Sequence, residues 1–403
     1  MFVARVIAKL EPGGAQLSAL RLTRALERHG IGCRFIAGDA TPAGLRLARA
    51  HGIEVESFAD GLGLQWTPSE AFADWLAPRL RGADLVHAHM FGAWWAAASV
   101  LGDRVPLIAS EHNAFSWPGS PHAGAAREAL RRVDRFFAHG PAARAYVQAL
   151  GLPPERLAAG ASPLPGFSSR PRADLPVPRI VYAGRLAADK GPDLLVEALG
   201  RMDGSPPAYL VGSGALEPAL GKRVAALGLR DSVRLAGWQH RPGPWIAGAS
   251  VLVVPSREEA WSQSAVLAMG LGVPVVAFAV EGLPEVLGQD RGVLVAQGDV
   301  DALARAIEDV LAGRRRPDVD AGRRYASRYT TARVARRYAA AYAQVLGGDE
   351  ADDRDPGRLV EYPGSARDAP AHPLQVGPEV ARPSLSASRE QAARDEPSAA
   401  PAG

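Results

Sequence analysis

Short apolar runs recur along the chain, with amphipathic stretches between them. Val3–Lys9 (VARVIAK) reads as a buried strand, and AQLSALRLTRALERHG after it spaces its apolar residues along one helical face. The alternation continues through Cys33–Gly38, Ala83–His89, Val105–His112 and Val133–Gly140, the last followed by a helix over PAARAYVQALG. Such an order predicts parallel strands with crossover helices. From Leu157 to Pro178 the pattern gives way to Pro, Ser and Gly, which predicts a linker. Alternation then resumes with RIVYAG, AYLVG, VRLAG, SVLVVPS, PVVAFAV and GVLVA as strands and helices among them. The expected fold class is α/β. One doubly wound Rossmann-like parallel-sheet domain covers residues 1–165 and a second covers 178–330, with helices after them up to about residue 346. Two such domains face a cleft, and ligands sit at the carboxyl ends of the strands.

Composition narrows this picture. The chain has 403 residues and is 47% hydrophobic, enough for two sizeable cores. Residues 349–403 carry no apolar period and predict a disordered tail; folding of part of it on a partner is the alternative. The formal charge is +3, but the tail holds eleven acidic against six basic residues, which leaves the body near +8. A modestly basic body suits an anionic substrate or membrane surface. Without a stripe of basic and aromatic residues it does not suit nucleic acid. A single cysteine, Cys33, excludes an internal disulfide and fits a reducing cytoplasm. The amino-terminal run lacks a signal-peptide layout, and the most apolar windows, AWWAAASVL and VPVVAFAV, fall short of the roughly 20 residues a membrane span needs. A cytoplasmic protein, soluble or peripheral to the membrane, is expected. Arg127, Arg131, Arg132 and Arg135 suit either a solvated face, the commoner case, or membrane contact.

Candidate chemistry lies in the loops after strands. GRLAADKG places Gly184, Arg185 and Lys190 between a strand and a helix. Two cations beside a helix amino terminus make a diphosphate site, and Lys190 is one of only three lysines. EPGGAQ puts Gly13 and Gly14 at a similar turn, where backbone amides can approach a phosphate or sugar, or simply turn the chain. VGSGALE offers Gly212 and Gly214, but it lacks the third glycine and the acidic residue of a dinucleotide fingerprint. His87, His89 and His112 end strands of the first domain. Glu111 is the only carboxylate adjacent to them, so no metal set is expected. His87 reads as a satisfied strand-end histidine, and His112 as a group that meets a sugar hydroxyl or positions an acceptor. Trp94, Trp95 and Trp117 suit an acceptor pocket, although core packing accounts for at least one of Trp94 and Trp95. In SREEAWSQS, Glu258 or Glu259 can accept sugar hydroxyls beside the amides of Ala260, Trp261, Ser262 and Gln263; an acidic helix cap is the plainer reading.

Taken in order, GG, GRLAADKG, PSREEAWSQSAVLAM and EGLPEVL resemble the motifs of the retaining nucleotide-sugar glycosyltransferases of family 4, which have the GT-B fold. The likeness runs from about Val3 to Leu346 and is strongest over Ile180–Ala296. It implies an amino-terminal acceptor domain, a carboxy-terminal donor domain, and a last helix near 332–346 that packs back on the first domain. It assigns Arg185 and Lys190 to the donor diphosphate, Glu259 and the Ala260–Gln263 amides to the donor sugar, and His112 to the sugar near the reacting carbon. Gly282 belongs to the turn that the family writes Gly-Gly, with Glu281 in place of the first glycine. The family's second glutamate, eight residues after Glu259, is Leu267, and its linker motif is replaced by ASPLPGF. Since that glutamate holds ribose hydroxyls, the identity of the nucleotide is in question.

The implied activity is metal- and cofactor-independent transfer of a sugar from a nucleoside diphosphate sugar to a hydroxyl of a glycan, lipid-linked or small-molecule acceptor, with retention, in carbohydrate biosynthesis. A sugar-nucleotide epimerase and a non-catalytic sugar-nucleotide-binding partner protein are the alternatives.

Overall fold

The computed structural model describes residues 1–59, 61–112, 121–204 and 206–347. Trp117 and the tail expected over 349–403 lie outside them.

The first sheet is built from β1 (Phe2–Leu10), β2 (Gly32–Ala40), β3 (Val55–Ala59), β4 (Leu85–His89), β5 (Leu107–Glu111), β6 (Arg135–Ala138) and β7 (Leu157–Ala159). They run parallel in the order β3-β2-β1-β4-β5-β6-β7. The second sheet holds β8 (Ile180–Ala183), β9 (Ala208–Val211), β10 (Val233–Gly237), β11 (Val251–Val254), β12 (Val275–Phe278) and β13 (Val293–Val295), parallel in the order β10-β9-β8-β11-β12-β13. Four-residue runs such as Val251–Val254 and Val275–Phe278 are buried throughout because helices cover both faces of a parallel sheet.

The strand order decides where a ligand fits. It reverses between β1 and β4 in one sheet and between β8 and β11 in the other. The crevice at each reversal is opened by chains leaving in opposite directions. The loops after β1, β8 and β11 are EPGG, GRLAADKG and PSREEAWS, three of the stretches singled out above.

Two strands of the first sheet depart from expectation. β3 (VESFA) has no buried residue, so no apolar run announces it. β7 has three residues and falls inside the stretch expected to be linker. The crossover back to the first domain is made by the helix Thr331–Val345. It buries Val334, Ala335, Tyr338, Ala341 and Tyr342 along one face. That stripe completes a core with Val3, Leu26, Leu85, Ile108 and Phe137. The Tyr338 and Phe137 rings lie 4.5 Å apart, and burial of a side chain such as Phe137 contributes about 2–3 kcal/mol. No helix of the described residues is long and apolar enough to cross a membrane.

Candidate functional site

A cavity of about 450 Å³ opens at the strand ends of both sheets. From the first domain it is lined by the loop after β1, with Gly13, Gly14 and Gln16, and by Met90, His112 and His139. From the second it is lined by Gly184, Arg185, Asp189 and Lys190 after β8, and by Glu258 to Ser264 after β11.

The two loops of the second domain are stitched into one wall. The Asp189 carbonyl accepts the Arg257 and Glu258 amides at 2.8 and 3.1 Å. Gly191 takes a left-handed backbone (φ 60°), and a Cβ there would lie 2.0 Å from the Pro255 carbonyl, so only glycine lets the loops meet. Lys190 crosses the seam: its Nζ donates to the Glu258 carbonyl at 3.0 Å and to Glu259 Oε2 at 3.1 Å. Ser256 Oγ donates to the same carboxylate oxygen at 3.3 Å. Arg185, more exposed, pairs with Asp189 at 2.9 Å. Both cations therefore reach the cavity, but each is held by a carboxylate that a ligand must displace or share.

Beyond Glu259 the chain runs past the cavity before the helix starts. That helix is Gln263–Gly270, capped by Ser262, whose Oγ accepts the Ala265 amide at 3.3 Å. Ala260 and Trp261 thus precede it. Among the described residues, the amides of Ala260, Trp261, Ser262 and Gln263 donate to no protein acceptor. Exposed to the cavity, they form a row of donors for hydroxyl or anionic oxygens. The Trp261 ring packs 4.7 Å from that of Tyr329.

Glu281 accepts the Glu259 amide at 2.8 Å and adopts a positive φ of 41°. Burial, reinforced by Glu258 and Glu259, pushes its carboxyl up to about 7. Behind it, a Cβ on Gly282 would stand 1.9 Å from the Ala260 carbonyl. Gly282, Gly212 and Gly214 were expected to bind donor, yet none of them lines the cavity. Gly212 and Gly214 back the Gly184–Leu186 loop, where a Cβ would come within 1.8 Å of the Gly184 carbonyl and 2.4 Å of the Leu186 carbonyl. Their role is to let backbones touch, one layer behind the lining. Leu267 is buried in the second core, so the expected ribose carboxylate is replaced by apolar packing.

The first-domain wall is of another kind. His112 faces the cavity, and its Nε2 lies 3.0 Å from His89 Nδ1. His89 Nε2 lies 2.9 Å from a guanidinium nitrogen of Arg5, which is fully buried in β1. The His139 ring lies tilted by 32° against that of His112, with 3.9 Å between ring centres. His87 is fully buried and satisfied on both nitrogens by Ser110 Oγ and the Tyr342 hydroxyl, as expected of a strand-end histidine. Burial first, then the Arg5 charge, lowers His112 to about 3. Burial holds His87, His89 and His139 well below the usual imidazole range as well. Trp94 is buried and donates to Glu111 at 3.5 Å, which places it in the core. Among the described residues no three His, Cys, Asp or Glu side chains gather as a metal set.

Among the described residues, several contacts tie the two domains across the cleft. Gln263 Nε2 donates to the Gly14 carbonyl at 2.6 Å, and Arg144 pairs with Glu285 at 2.7 Å. Gly140 abuts the Ala260 carbonyl so closely that a Cβ would lie 2.4 Å from it. Sequence reasoning passed over His139, Lys9 and Tyr182, which line the cavity. His139 ends a strand as His112 does, and Lys9 is one of three lysines, so both carried a readable signal. Of the basic residues considered for a membrane face, Arg131 pairs with Glu128 at 2.7 Å and Arg132 with Asp103 at 3.7 Å.

Comparison with known proteins supports this geometry. Residues 177–313 match the family model "Glycosyl transferases group 1" and residues 12–159 match "Glycosyltransferase Family 4". The chain is 33% identical to a D-inositol 3-phosphate glycosyltransferase of Streptomyces griseus, over 58% of this chain and 56% of that protein. It thus spans little more than half of that relative. It is 29% identical to the protein of the same name from Geodermatophilus obscurus, over 82% of this chain and 85% of the relative. Anabaena HepE in complex with UDP-glucose superposes with a TM-score of 0.70 at 20% identity, covering 85% of this chain and all of that one. The two parallel-sheet domains therefore form a GT-B fold. Together with the two matched models, the order of the site loops makes this chain similar to glycosyltransferase family 4 proteins.

Proposed function

We propose that the chain transfers a sugar from a nucleoside diphosphate sugar to an acceptor hydroxyl, with retention of anomeric configuration and without a metal ion. The observation that carries this reading is the Lys190–Glu259 pair at 3.1 Å beside the unused amides of Ala260 to Gln263. A cation, a hydroxyl acceptor and a row of donors in one wall suit the join between a sugar and a diphosphate.

As the bond from the anomeric carbon to the diphosphate oxygen breaks, negative charge builds on the leaving group. Lys190 and Arg185 neutralise it in a partly buried site, where charge stabilisation is worth most. Glu259, oriented by Lys190 and Ser256, accepts sugar hydroxyls. The acceptor hydroxyl attacks from the face the diphosphate leaves, and its proton passes to the departing phosphate oxygen. The cross-cleft contacts hold the walls together and exclude water, which would otherwise consume the donor. With Leu267 buried, the ribose has to be held by other groups, so the base and sugar are open to test. An acceptor with several hydroxyls, of the kind in the name of the D-inositol 3-phosphate relatives, is the first class to offer.

A thermal-shift screen of UDP-, GDP-, ADP- and dTDP-sugars identifies the donor, because a ligand that binds only the folded state raises the unfolding temperature. Proton NMR of the product then reads the anomer. An inverted product, or hydrolysis and epimerisation with no transfer to any acceptor, overturns the proposal.

A further inference from the structure

The string Arg5–His89–His112 has a direction. A guanidinium only donates hydrogen bonds. Arg5 Nη2 lies 2.9 Å from His89 Nε2, so that nitrogen must offer its lone pair and the His89 proton sits on Nδ1. His89 Nδ1 lies 3.0 Å from His112 Nε2, so Nδ1–H donates and His112 Nε2 in turn accepts. The His112 proton is then on Nδ1, which has no protein partner among the described residues. Neither ring can gain a second proton without setting one N–H against another.

Arg5 also makes this arrangement costly to keep. It is fully buried in β1, an interior strand of the first sheet, and no carboxylate pairs with it among the described residues. A buried cation without a counter-charge opposes folding, and its Nε finds no acceptor. Its other terminal nitrogen donates to the Tyr342 hydroxyl at 3.1 Å. That hydroxyl lies 2.6 Å from His87 Nδ1, and His87 Nε2 lies 2.8 Å from Ser110 Oγ. One cation thus touches both hydrogen-bond strings and orders the one through His89.

We propose that Arg5 is a positioning residue: acting through His89, it fixes His112 as a neutral imidazole that presents Nδ1–H to an oxygen of the bound sugar or acceptor. His112 is then a fixed donor and not a general acid or base. This role in transfer rests on the reading of the cleft as a glycosyl-transfer site; the tautomer itself does not. The other groups facing His112 agree with it. Glu111 accepts the His112 backbone amide at 3.0 Å, and the His139 ring lies tilted against the His112 ring with centres 3.9 Å apart.

The test is ¹⁵N NMR of the histidine-labelled full chain without ligand, with the His112 signal identified by its loss in His112→Gln. The expected result is one neutral tautomer protonated at Nδ1, unchanged from pH 8 to pH 5. A proton on Nε2, or titration above pH 6, overturns the proposal. In Arg5→Met the signal should turn to mixed tautomers, and kcat should fall about 10–100-fold with donor KM little changed. Arg5→Lys, which keeps a donor toward His89, should restore part of both. If Arg5→Met folds and keeps tautomer and kcat, Arg5 positions nothing. If Arg5→Met fails to fold, the wild-type and Arg5→Lys spectra decide. A wild-type chain that transfers no sugar would end the glycosyl-transfer reading while leaving the NMR result to decide the tautomer.

Discussion

On the first-domain side of the cleft a pair of imidazoles, His112 and His139, is backed by His89 and a buried Arg5, with the Lys9–Glu11 ion pair beside it. On the second-domain side the polar groups are ions, Arg185, Lys190, Glu258 and Glu259, which remain partly open to solvent. Both sets stand at the ends of parallel strands, so topology does not separate them. Burial does. The histidine part of the first wall is largely buried and keeps its imidazoles neutral. The second is wet enough to keep charges, and it spends them on one another until a ligand arrives. A donor with a charged leaving group and an uncharged sugar needs both surfaces.

The largest expected effect falls on the charged wall. Lys190→Ala should lower kcat by about 10²–10³-fold, as loss of a charged transition-state stabiliser does, with little change in unfolding temperature. Activity within threefold of wild type would mean that the lysine serves only the Glu259 pair. Next comes the layer behind that wall. Gly282→Ala forces a Cβ against the Ala260 carbonyl, and about 2–3 kcal/mol of stability should be lost, read from the urea midpoint. If the midpoint does not move, the two backbones are less tightly apposed than the distance implies.

The smaller effects concern pH, where the walls pull in opposite directions. His112 binds its proton only near pH 3 when folded, whereas an unfolded histidine binds near 6.5. The unfolded chain therefore holds more protons across that window, and stability should fall as pH drops from about 6.5 toward 3. His87, His89 and His139 add to the same slope. Glu281 has the opposite sign. Its folded value near 7 exceeds the ordinary 4.5, so the folded chain holds the extra proton and stability should fall as pH rises from about 4.5 to 7. Glu281→Gln should remove that second slope alone, so the variant gains on wild type between pH 5 and 8 in melting temperature. Parallel profiles for the two proteins would show that the Glu281 carboxylate is solvated.

Apolar runs bounded by turns were enough to locate ten or so buried strands, because a strand covered on both faces must be apolar throughout. β3, with no buried residue, and β7, with three residues at a sheet edge, lack that signal. The second-domain loops that line the cavity were legible from Lys190, the acidic pair and the glycines, since each motif is continuous in sequence. The histidine wall was read only in part. His112 was found as a strand-end residue, but Arg5 meets His89 across 84 positions, and nothing local joins them. A lone arginine in the middle of a buried strand was the clue available. Gly212, Gly214 and Gly282 show the converse: glycines beside a ligand loop read as contacts with a ligand, and the structure sets them against neighbouring backbone, outside the cavity lining.

The helix Thr331–Val345 gives the molecule an order of assembly. Tyr338 and Tyr342 cover Phe137 and satisfy His87 and Arg5, yet they leave the ribosome about 200 residues after Phe137 does. Until then the nascent first domain carries an unsealed apolar face and a half-solvated arginine. The second domain meanwhile already has its own core within reach. Domains made in sequence usually fold first come, first served. Here the helix at Thr331–Val345 closes one face of the first domain, although that domain has a core of its own beforehand.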